Sequence, residues 1–281
     1  MSPGQKKAVA WTLLAALALA AVLLFNYWAS YQPLSTLVYA GIVLAFCGLA
    51  NLALPFRFLG IKKRATGTLV LAGGVMLALM ALLWPAPTIR VAQHRTLLDD
   101  LMPEYQFFER HSARIHAWRQ QVMPAIRQST FGDMKSLAML LKIRGVVLRL
   151  RDQDNGAFLR DKRILDAFAA SGYVLGESEH EIVMAGGANM RAKRPLELRT
   201  LQEFADYREA GAIKIAYNFT VEDAGGGWST ITAETRVAAC DDAARGVARY
   251  WRLIVPGSGL LRRQWLEAIK RRAERMPNPQ S

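Results

Sequence analysis

The stretch IKIAYNFTVEDAGGGWSTITAETRVA, residues 213–238, decides the fold of the second half of the chain. Apolar and polar residues alternate over 213–221 and again over 228–238, which is the two-residue period of a β-strand with one buried face. Residues 222–227 separate these two runs and include three consecutive glycines. The pattern therefore predicts a long antiparallel hairpin. Phosphate-binding loops are also glycine-rich, but they precede a helix, so we interpret this segment as a turn.

The alternation also predicts which side chains of the hairpin share a face. Glu234 and Arg236 lie opposite the apolar face of the second strand, and we interpret them as surface partners. The first strand places five residues on its apolar face: Ile213, Ile215, Tyr217, Phe219 and Val221.

Further elements are predicted on both sides of the hairpin. Residues 105–117 alternate as another strand, and residues 173–179 and 181–185 form two more. Helical spacing of apolar residues predicts helices over 118–128, 136–150 and 164–170. A last helical region begins after Asp241. We expect a kink or a break in it at Pro256, since proline removes a backbone donor.

The first 84 residues contain no Asp or Glu and carry three charge-free apolar runs, 8–27, 35–56 and 66–84. Each run is long enough to cross about 30 Å of hydrocarbon as a helix, so we predict three transmembrane helices. A cleaved signal peptide is the alternative for the first run, but that run is longer than a usual signal core and lacks a clear cleavage site. Gly41, Gly73 and Gly74 mark tight helix contacts or kinks, or else they are merely tolerated small residues.

Basic residues in the short loops predict the orientation of this anchor. The loop between the first two runs carries no charge, whereas Lys and Arg residues lie before the first run and in the loop between the second and third runs. The positive-inside rule then places the N-terminus in the cytoplasm and everything after residue 84 outside it, in a multi-pass protein of the bacterial inner membrane. The residues concerned are Lys6, Lys7, Arg57, Lys62, Lys63 and Arg64.

The net charge of +13 suggests a nucleic-acid partner until it is divided along the chain. Six basic residues belong to the anchor, and much of the remaining excess lies near the C-terminus. Beside a bilayer such residues meet anionic lipid or solvate a helix face, so we expect membrane lipids and no nucleic acid as partners. The predicted membrane-surface residues are Arg262, Arg263, Lys270 and Arg271. Cys47 and Cys240 lie in different parts of the chain, so no disulfide is expected.

Three stretches and the order of the elements resemble the helix-grip fold of the START-like or SRPBCC superfamily, which includes birch-pollen-allergen-like proteins and polyketide cyclases. They are FFERHSARI at 107–115, TAETRV at 232–237 and RYWRLIVPGSGLLRR at 249–263. The last is similar to a stretch in bacterial proteins of unknown function. The resemblance covers roughly 105–275 and implies an α+β class in which a curved antiparallel sheet wraps around a long C-terminal helix.

The domain organisation expected from these patterns has four parts. Residues 1–86 form the transmembrane anchor, 87–104 a polar connector, 105–275 the START-like domain and 276–281 a tail. The resemblance further implies an apolar cavity between sheet and helix for a lipid, sterol, polyketide or other hydrophobic molecule. The alternative is that aromatic side chains fill this space. The residues expected to contact a ligand are Phe107, Glu109, His111, Tyr217, Phe219, Tyr250 and Trp251.

Glu109 and His111 are the best candidates for polar chemistry, because they share one face of a strand with Phe107 and Ile115. Two ionisable groups on an apolar face are costly to bury unless they are paired. They form either a headgroup site or acid/base pair, or a purely structural pair bonded to arginine or backbone. No histidine falls in a metal-spaced motif, so no metal is expected. No glycine-rich cofactor loop is recognised in the sequence, so no other cofactor is expected either.

Three functions remain open from the sequence. The first is a membrane-anchored module that binds a hydrophobic ligand or lipid near the outer face of the membrane. The second is a structural or interaction protein of the cell envelope with a closed core. The third is a cyclase or hydrolase that uses Glu109 and His111 as general acid and base. The sequence does not specify an oligomeric state.

Overall fold

The computed structural model describes residues 33–53, 64–134 and 161–277, and these fall into two compact units. The first unit comprises the described residues up to Pro85 together with Arg249–Pro256. The second comprises the described residues of Ala86–Ala248 and of the segment that begins at Gly257. The predicted first span at 8–27 and the predicted helix at 136–150 lie outside the described residues.

Two apolar helices form the main part of the first unit: α1, Pro33–Ala53, and α2, Arg64–Leu83. Both are long and apolar enough to cross a membrane. Gly41 and Gly74 bring their backbones together, since a Cβ atom at Gly74 would lie 2.4 Å from the Ala45 nitrogen. A Cβ at Gly73 would meet nothing within 4 Å. Gly41 and Gly74 are therefore tight helix contacts, whereas Gly73 is a tolerated small residue.

Residues 249–256 complete the first unit through the side chain of Arg252. Its guanidinium donates hydrogen bonds to the carbonyls of Ala81, Leu82 and Trp84 at 2.9, 2.9 and 2.7 Å. The last carbonyls of a helix have no partner within the helix and carry its negative end, so a cation there satisfies both needs. This segment, expected as part of the 105–275 domain, thus belongs to the unit of the apolar helices.

The second unit combines an antiparallel sheet with helices, which confirms the predicted α+β class. The sheet order is β3-β8-β7-β5-β4, and β6 pairs with β5. The strands are β1 Ile89–Arg90, β2 Glu104–Tyr105, β3 Phe107–Ile115, β4 Val174–Glu177, β5 Glu181–Asn189, β6 Arg194–Pro195, β7 Ala212–Gly225 and β8 Trp228–Ala239. The helices after α2 are α3 Leu97–Leu101, α4 Arg119–Gln128, α5 Ile164–Ala170, α6 Leu201–Asp206, α7 Asp242–Ala248 and α8 Trp251–Ala273.

The β7–β8 hairpin forms as the alternation predicts. Ile213 pairs with Ala239 and Val221 with Ile231, with an irregularity between Asp223 and Gly225. The turn needs residues with positive φ, and three successive glycines supply it at 77°, 60° and 78°. The glycine run therefore joins two strands, as expected.

Helices cover the sheet on both sides. On what we call the first face, the sheet packs against α4, α5 and the part of α8 after Pro256, around Phe219, Ile231 and Trp265. On the second face, Val183, Ala185 and Ala216 pack against α3 and α6. A strand in such a sheet is buried on both sides.

The covered second face overturns the interpretation of Glu234 and Arg236 as surface partners. Arg236 is buried and donates to Asp99 of α3 at 2.7 Å and to Glu234 at 2.6 Å. Residues 87–104, expected to form a polar connector, contain β1 and α3, and Leu98 is fully buried against the sheet. This segment is therefore part of the second unit.

The terminal helix differs from one of the two expectations at Pro256: α8 runs through this residue without a break, and a kink there stays a prediction. Proline removes only one backbone donor. Buried side chains lie on both sides of it, including Val255 before and Trp265 after.

Candidate functional site

Neighbouring strands place the predicted polar residues side by side on the first face. Glu109 lies opposite Thr235 across β3 and β8, and Tyr217 lies opposite the same threonine across β7 and β8. His111 occupies the adjacent row, where it faces Ala233. We call Glu109, His111, Tyr217, Thr235 and Arg262 the interior polar cluster.

Glu109 and His111 form a buried pair. Their side chains are 0% and 4% exposed, and His111 Nε2 lies 2.6 Å from Glu109 Oε1. Arg263 Nε donates to His111 Nδ1 over 3.5 Å, so the hydrogen bonds fit a ring that carries its proton on Nε2. The second carboxylate oxygen, Glu109 Oε2, is buried and accepts no hydrogen bond from the described residues. The pair therefore has one acceptor to offer.

Arg262 adds a buried cation to the cluster. Its Nε donates to Thr235 Oγ1 over 3.2 Å, and its guanidinium lies 4.1 Å from the Tyr217 ring and 5.4 Å from the Trp265 ring. Burial lowers the pKa of Arg262, while Tyr217 and Glu109 act in the opposite direction. Stacking on aromatic faces suits guanidinium better than ammonium. Arg262 thus lies in the core, whereas the sequence placed it at the membrane surface.

Aromatic rings pack around the cluster. Trp265 of α8 lies 4.6 Å from Phe219 and 6.1 Å from Phe168, measured between ring centroids. Tyr173 and Tyr217 approach to 5.8 Å. The indole nitrogen of Trp265 is buried and has no hydrogen-bond partner among the described residues. The first face thus combines aromatic surface with Glu109 Oε2 and Trp265 Nε1, polar atoms for which the described part of the chain supplies no partner.

The structure brings together five of the seven residues expected to contact a ligand. Phe107, Glu109, His111, Tyr217 and Phe219 share the first face of the sheet. The other two, Tyr250 and Trp251, lie in the first unit, where Tyr250 is exposed and Trp251 is buried.

The other predicted membrane-surface residues are partly exposed and have intramolecular partners. Lys270 lies 3.9 Å from Glu274, and Arg271 lies 3.6 Å from Glu267, one helical turn away. Arg271 also donates to the Asp133 carbonyl over 2.9 Å. Arg263, which approaches His111, is likewise only partly exposed.

Sequence reasoning missed Thr235 and Arg262 as members of the site. A signal for Arg262 exists, because it precedes Trp265 by three residues and Ile269 by seven, which is the spacing of one helix face. Arg262 was nevertheless assigned to the membrane surface, because it is one of several basic residues near the C-terminus.

The hydrogen bonds of the interior polar cluster determine which groups it can offer to a bound molecule. Both ring nitrogens of His111 have partners, Glu109 and Arg263. Glu109 Oε2 and the Trp265 indole offer one acceptor and one donor for a bound molecule. Within the ranges that the structure describes, no group of His, Cys, Asp and Glu side chains is placed to hold a metal ion.

Comparisons with known proteins do not assign the chain to a family. No family model and no curated protein matches the chain. One solved structure, a hypothetical protein from Helicobacter pylori, is 8% identical over 65% of this chain and 97% of its own, with a TM-score of 0.30. Similarity at that level carries no argument about fold or function.

Proposed function

We propose that this protein is a membrane-anchored binding module whose second unit adopts a START-like helix-grip fold and binds a lipid or other hydrophobic small molecule. The observation that carries the proposal is the interior polar cluster on an otherwise apolar and aromatic face. Among the described residues no group donates to the fully buried Glu109 Oε2, which is unusual for a buried polar atom.

The chemistry of the cluster defines the ligand. A buried charged acceptor left without a hydrogen bond typically costs about 1–3 kcal/mol or more. A ligand with a hydroxyl or amide donor at one end would supply the missing bond to Glu109. Its apolar body would contact Phe219, Tyr217 and Trp265, in keeping with sites that combine apolar walls with few polar groups.

The membrane part of the proposal rests on α1 and α2, which are long and apolar enough to span a bilayer. We propose a multi-pass protein of the bacterial inner membrane with its N-terminus in the cytoplasm and the second unit outside it. Alkaline phosphatase fused to the C-terminus should be active in intact cells. An inactive fusion, together with a fluorescent cytoplasmic reporter at the same site, would contradict this orientation.

Native mass spectrometry of the full chain in a mild detergent tests ligand binding. We expect a bound apolar molecule on the wild-type protein and at least about tenfold weaker binding to Glu109→Gln. A tenfold change corresponds to about 1.4 kcal/mol, which lies within the range for the hydrogen bond that Glu109 would accept from the ligand. Arg110→Gln is the matched control, since Arg110 lies next to Glu109 on β3 but is 62% exposed. A wild-type protein without any bound molecule would refute the proposal, as would equal occupancy in the Glu109 variant.

A second candidate, an envelope protein with a closed core, is favoured by the aromatic packing of Trp265, Phe168 and Phe219. The same mass spectra separate the two functions. The closed core predicts an unliganded mass for the wild-type protein and for both variants.

A further inference from the structure

A basic cleft lies on the opposite side of the sheet from the interior polar cluster. It has a volume of about 570 Å³ and lies among β1, β2, the end of α6 and the adjoining ends of β7 and β8. That volume is in the range of about 300–1,000 Å³ that is usual for small-molecule sites. Its apolar lining includes Val91, Met102 and Ala238.

Lys214 is the buried cation of this cleft. It is 5% exposed, its Nζ donates to the Ala205 carbonyl over 3.0 Å, and the same nitrogen lies 4.6 Å above the Phe204 ring. Both partners are uncharged, and no carboxylate of the described residues forms an ion pair with this ammonium, although Asp206 acts on it from farther away. Burial, with a smaller contribution from Arg208, lowers the pKa of Lys214 to about 8.

Two arginines add to the positive charge. Arg208 donates to the carbonyls of Ala205 and Tyr207 at 2.6 and 2.8 Å, which are uncharged acceptors. Arg245 has a buried Nε with no hydrogen-bond partner in the described part of the chain. Its ion pair is with Asp242, at 3.1 Å, whose side chain is 95% exposed and therefore well screened by water.

The remaining charged groups of the lining neutralise each other. Arg90 pairs with Glu104 at 2.9 Å, and Glu104 is the one carboxylate among the lining residues. The cleft thus has an excess of cations, a buried donor without a partner and an apolar wall.

We propose that this cleft binds a small amphipathic anion, with a carboxylate or phosphate group at Lys214, Arg208 and Arg245 and an apolar portion against Val91 and Met102. An anion would give Lys214 a directly bonded negative partner and would accept from the Arg245 Nε. This site shares no residue with the interior polar cluster, so it goes beyond the function proposed above.

Isothermal titration calorimetry on the full chain in neutral-lipid nanodiscs tests the proposal with three probes. Octanoate carries the charge and the apolar chain, octanol carries the chain alone, and inorganic phosphate carries the charge alone. We expect octanoate to bind at least about tenfold more tightly than either of the others, because charge-assisted bonds and apolar contacts both contribute. Phosphate binding as tight as octanoate would show a free-anion site and overturn the amphipathic assignment. Octanol binding as tight would show that charge plays no role.

Variants locate the site. Lys214→Met and Arg208→Gln should each weaken octanoate binding by about tenfold, since each removes a charged donor. Arg208 is exposed, so its variant tests the proposal even where Lys214→Met fails to fold. Arg110→Gln should bind as the wild type does. Unchanged affinity in both cleft variants would refute the inference. Loss of octanoate binding in Glu109→Gln alone would place the ligand on the first face, which overturns the cleft site but supports the proposed function.

Discussion

Replacing Arg236 by methionine should destabilise the second unit strongly, because this guanidinium links α3 to the sheet. It is hydrogen-bonded to the carboxylates of Asp99 and Glu234 and donates to the Met102 carbonyl at 3.1 Å. Its side chain is 6% exposed, and those of Asp99 and Glu234 are 9% and 12% exposed. Methionine keeps an unbranched apolar stem in place of the arginine stem but is shorter and removes every donor.

The expected loss is about 3–5 kcal/mol, the range for removing one partner of a buried ion pair. Two conditions moderate it. Asp99 keeps hydrogen bonds from the backbone nitrogens of Arg95 and Thr96, both at 3.0 Å. Methionine also retains apolar contacts in the space that the arginine stem occupies. Against a total stability of about 5–15 kcal/mol for a typical domain, this is a large fraction.

Urea unfolding monitored by thiol labelling measures this loss in the full chain in detergent. With Cys47→Ser as background, Cys240 is the single thiol, and it lies half-buried in the second unit. The matched control is Arg110→Met. Arg110 is 62% exposed and lies 3.9 Å from Glu234, so its removal should cost less than about 1 kcal/mol. Equal losses for the two variants, or less than about 1 kcal/mol for Arg236→Met, would refute the reasoning.

Three further predictions concern other parts of the molecule. Gly74→Leu should reduce the thermal stability of the full chain in detergent, because a side chain at position 74 would collide with the backbone of α1. Gly73→Leu should leave the stability nearly unchanged, because a side chain at position 73 meets open space. Similar melting curves for the two variants would contradict the tight contact at Gly74. Burial alone would raise the pKa of Asp99, but hydrogen bonds, chiefly from the Arg95 backbone and the Arg236 side chain, hold this pKa below the ordinary 3.8. The ionised Asp99 carboxylate therefore stabilises the folded protein above that pH, and this stabilisation is lost as the pH falls below it. Urea titrations at a series of acidic pH values should therefore show a weaker pH dependence for Asp99→Asn, and parallel curves would argue against this linkage. Phe219→Ala should lower the free energy of unfolding by about 3–5 kcal/mol in the labelling assay, because Phe219 is fully buried. Phe108→Ala should lower it by less, because Phe108 is half-buried. The reverse order would contradict the assignment of Phe219 to the core.

Local alternation was sufficient to predict the β7–β8 hairpin and strand β3, because successive side chains of a strand point to opposite faces and the pattern is therefore visible within a few neighbouring residues. It could not reveal that the face of Arg236 is covered. That cover comes from α3, a five-residue helix LLDDL that lies 135 or more positions earlier and shows too short an apolar pattern to predict. Periodicity states which side chains share a face, but burial of that face depends on distant segments.

The candidate site shows the same limit. Glu109 and His111 were predicted together, since alternate residues of one strand point the same way. Arg262 joins them from α8, more than 150 positions later, and its contact with Tyr217 exists only after the helix packs on the sheet. Tyr250 and Trp251 are another example, because nothing in their spacing indicates that they belong to the unit of the apolar helices and not to the unit of the sheet.

The hydrogen bonds of Arg252 have a consequence for biosynthesis. A ribosome makes Ala81 171 residues before it makes the arginine that satisfies its carbonyl. Throughout that interval the last turn of α2 lacks the Arg252 donor, so the first unit reaches its final form only after the Ala86–Ala248 part of the second unit has been translated. A chain arrested before residue 252 would present an unfinished helix end to the quality-control proteases of the cell, however well its sheet had folded.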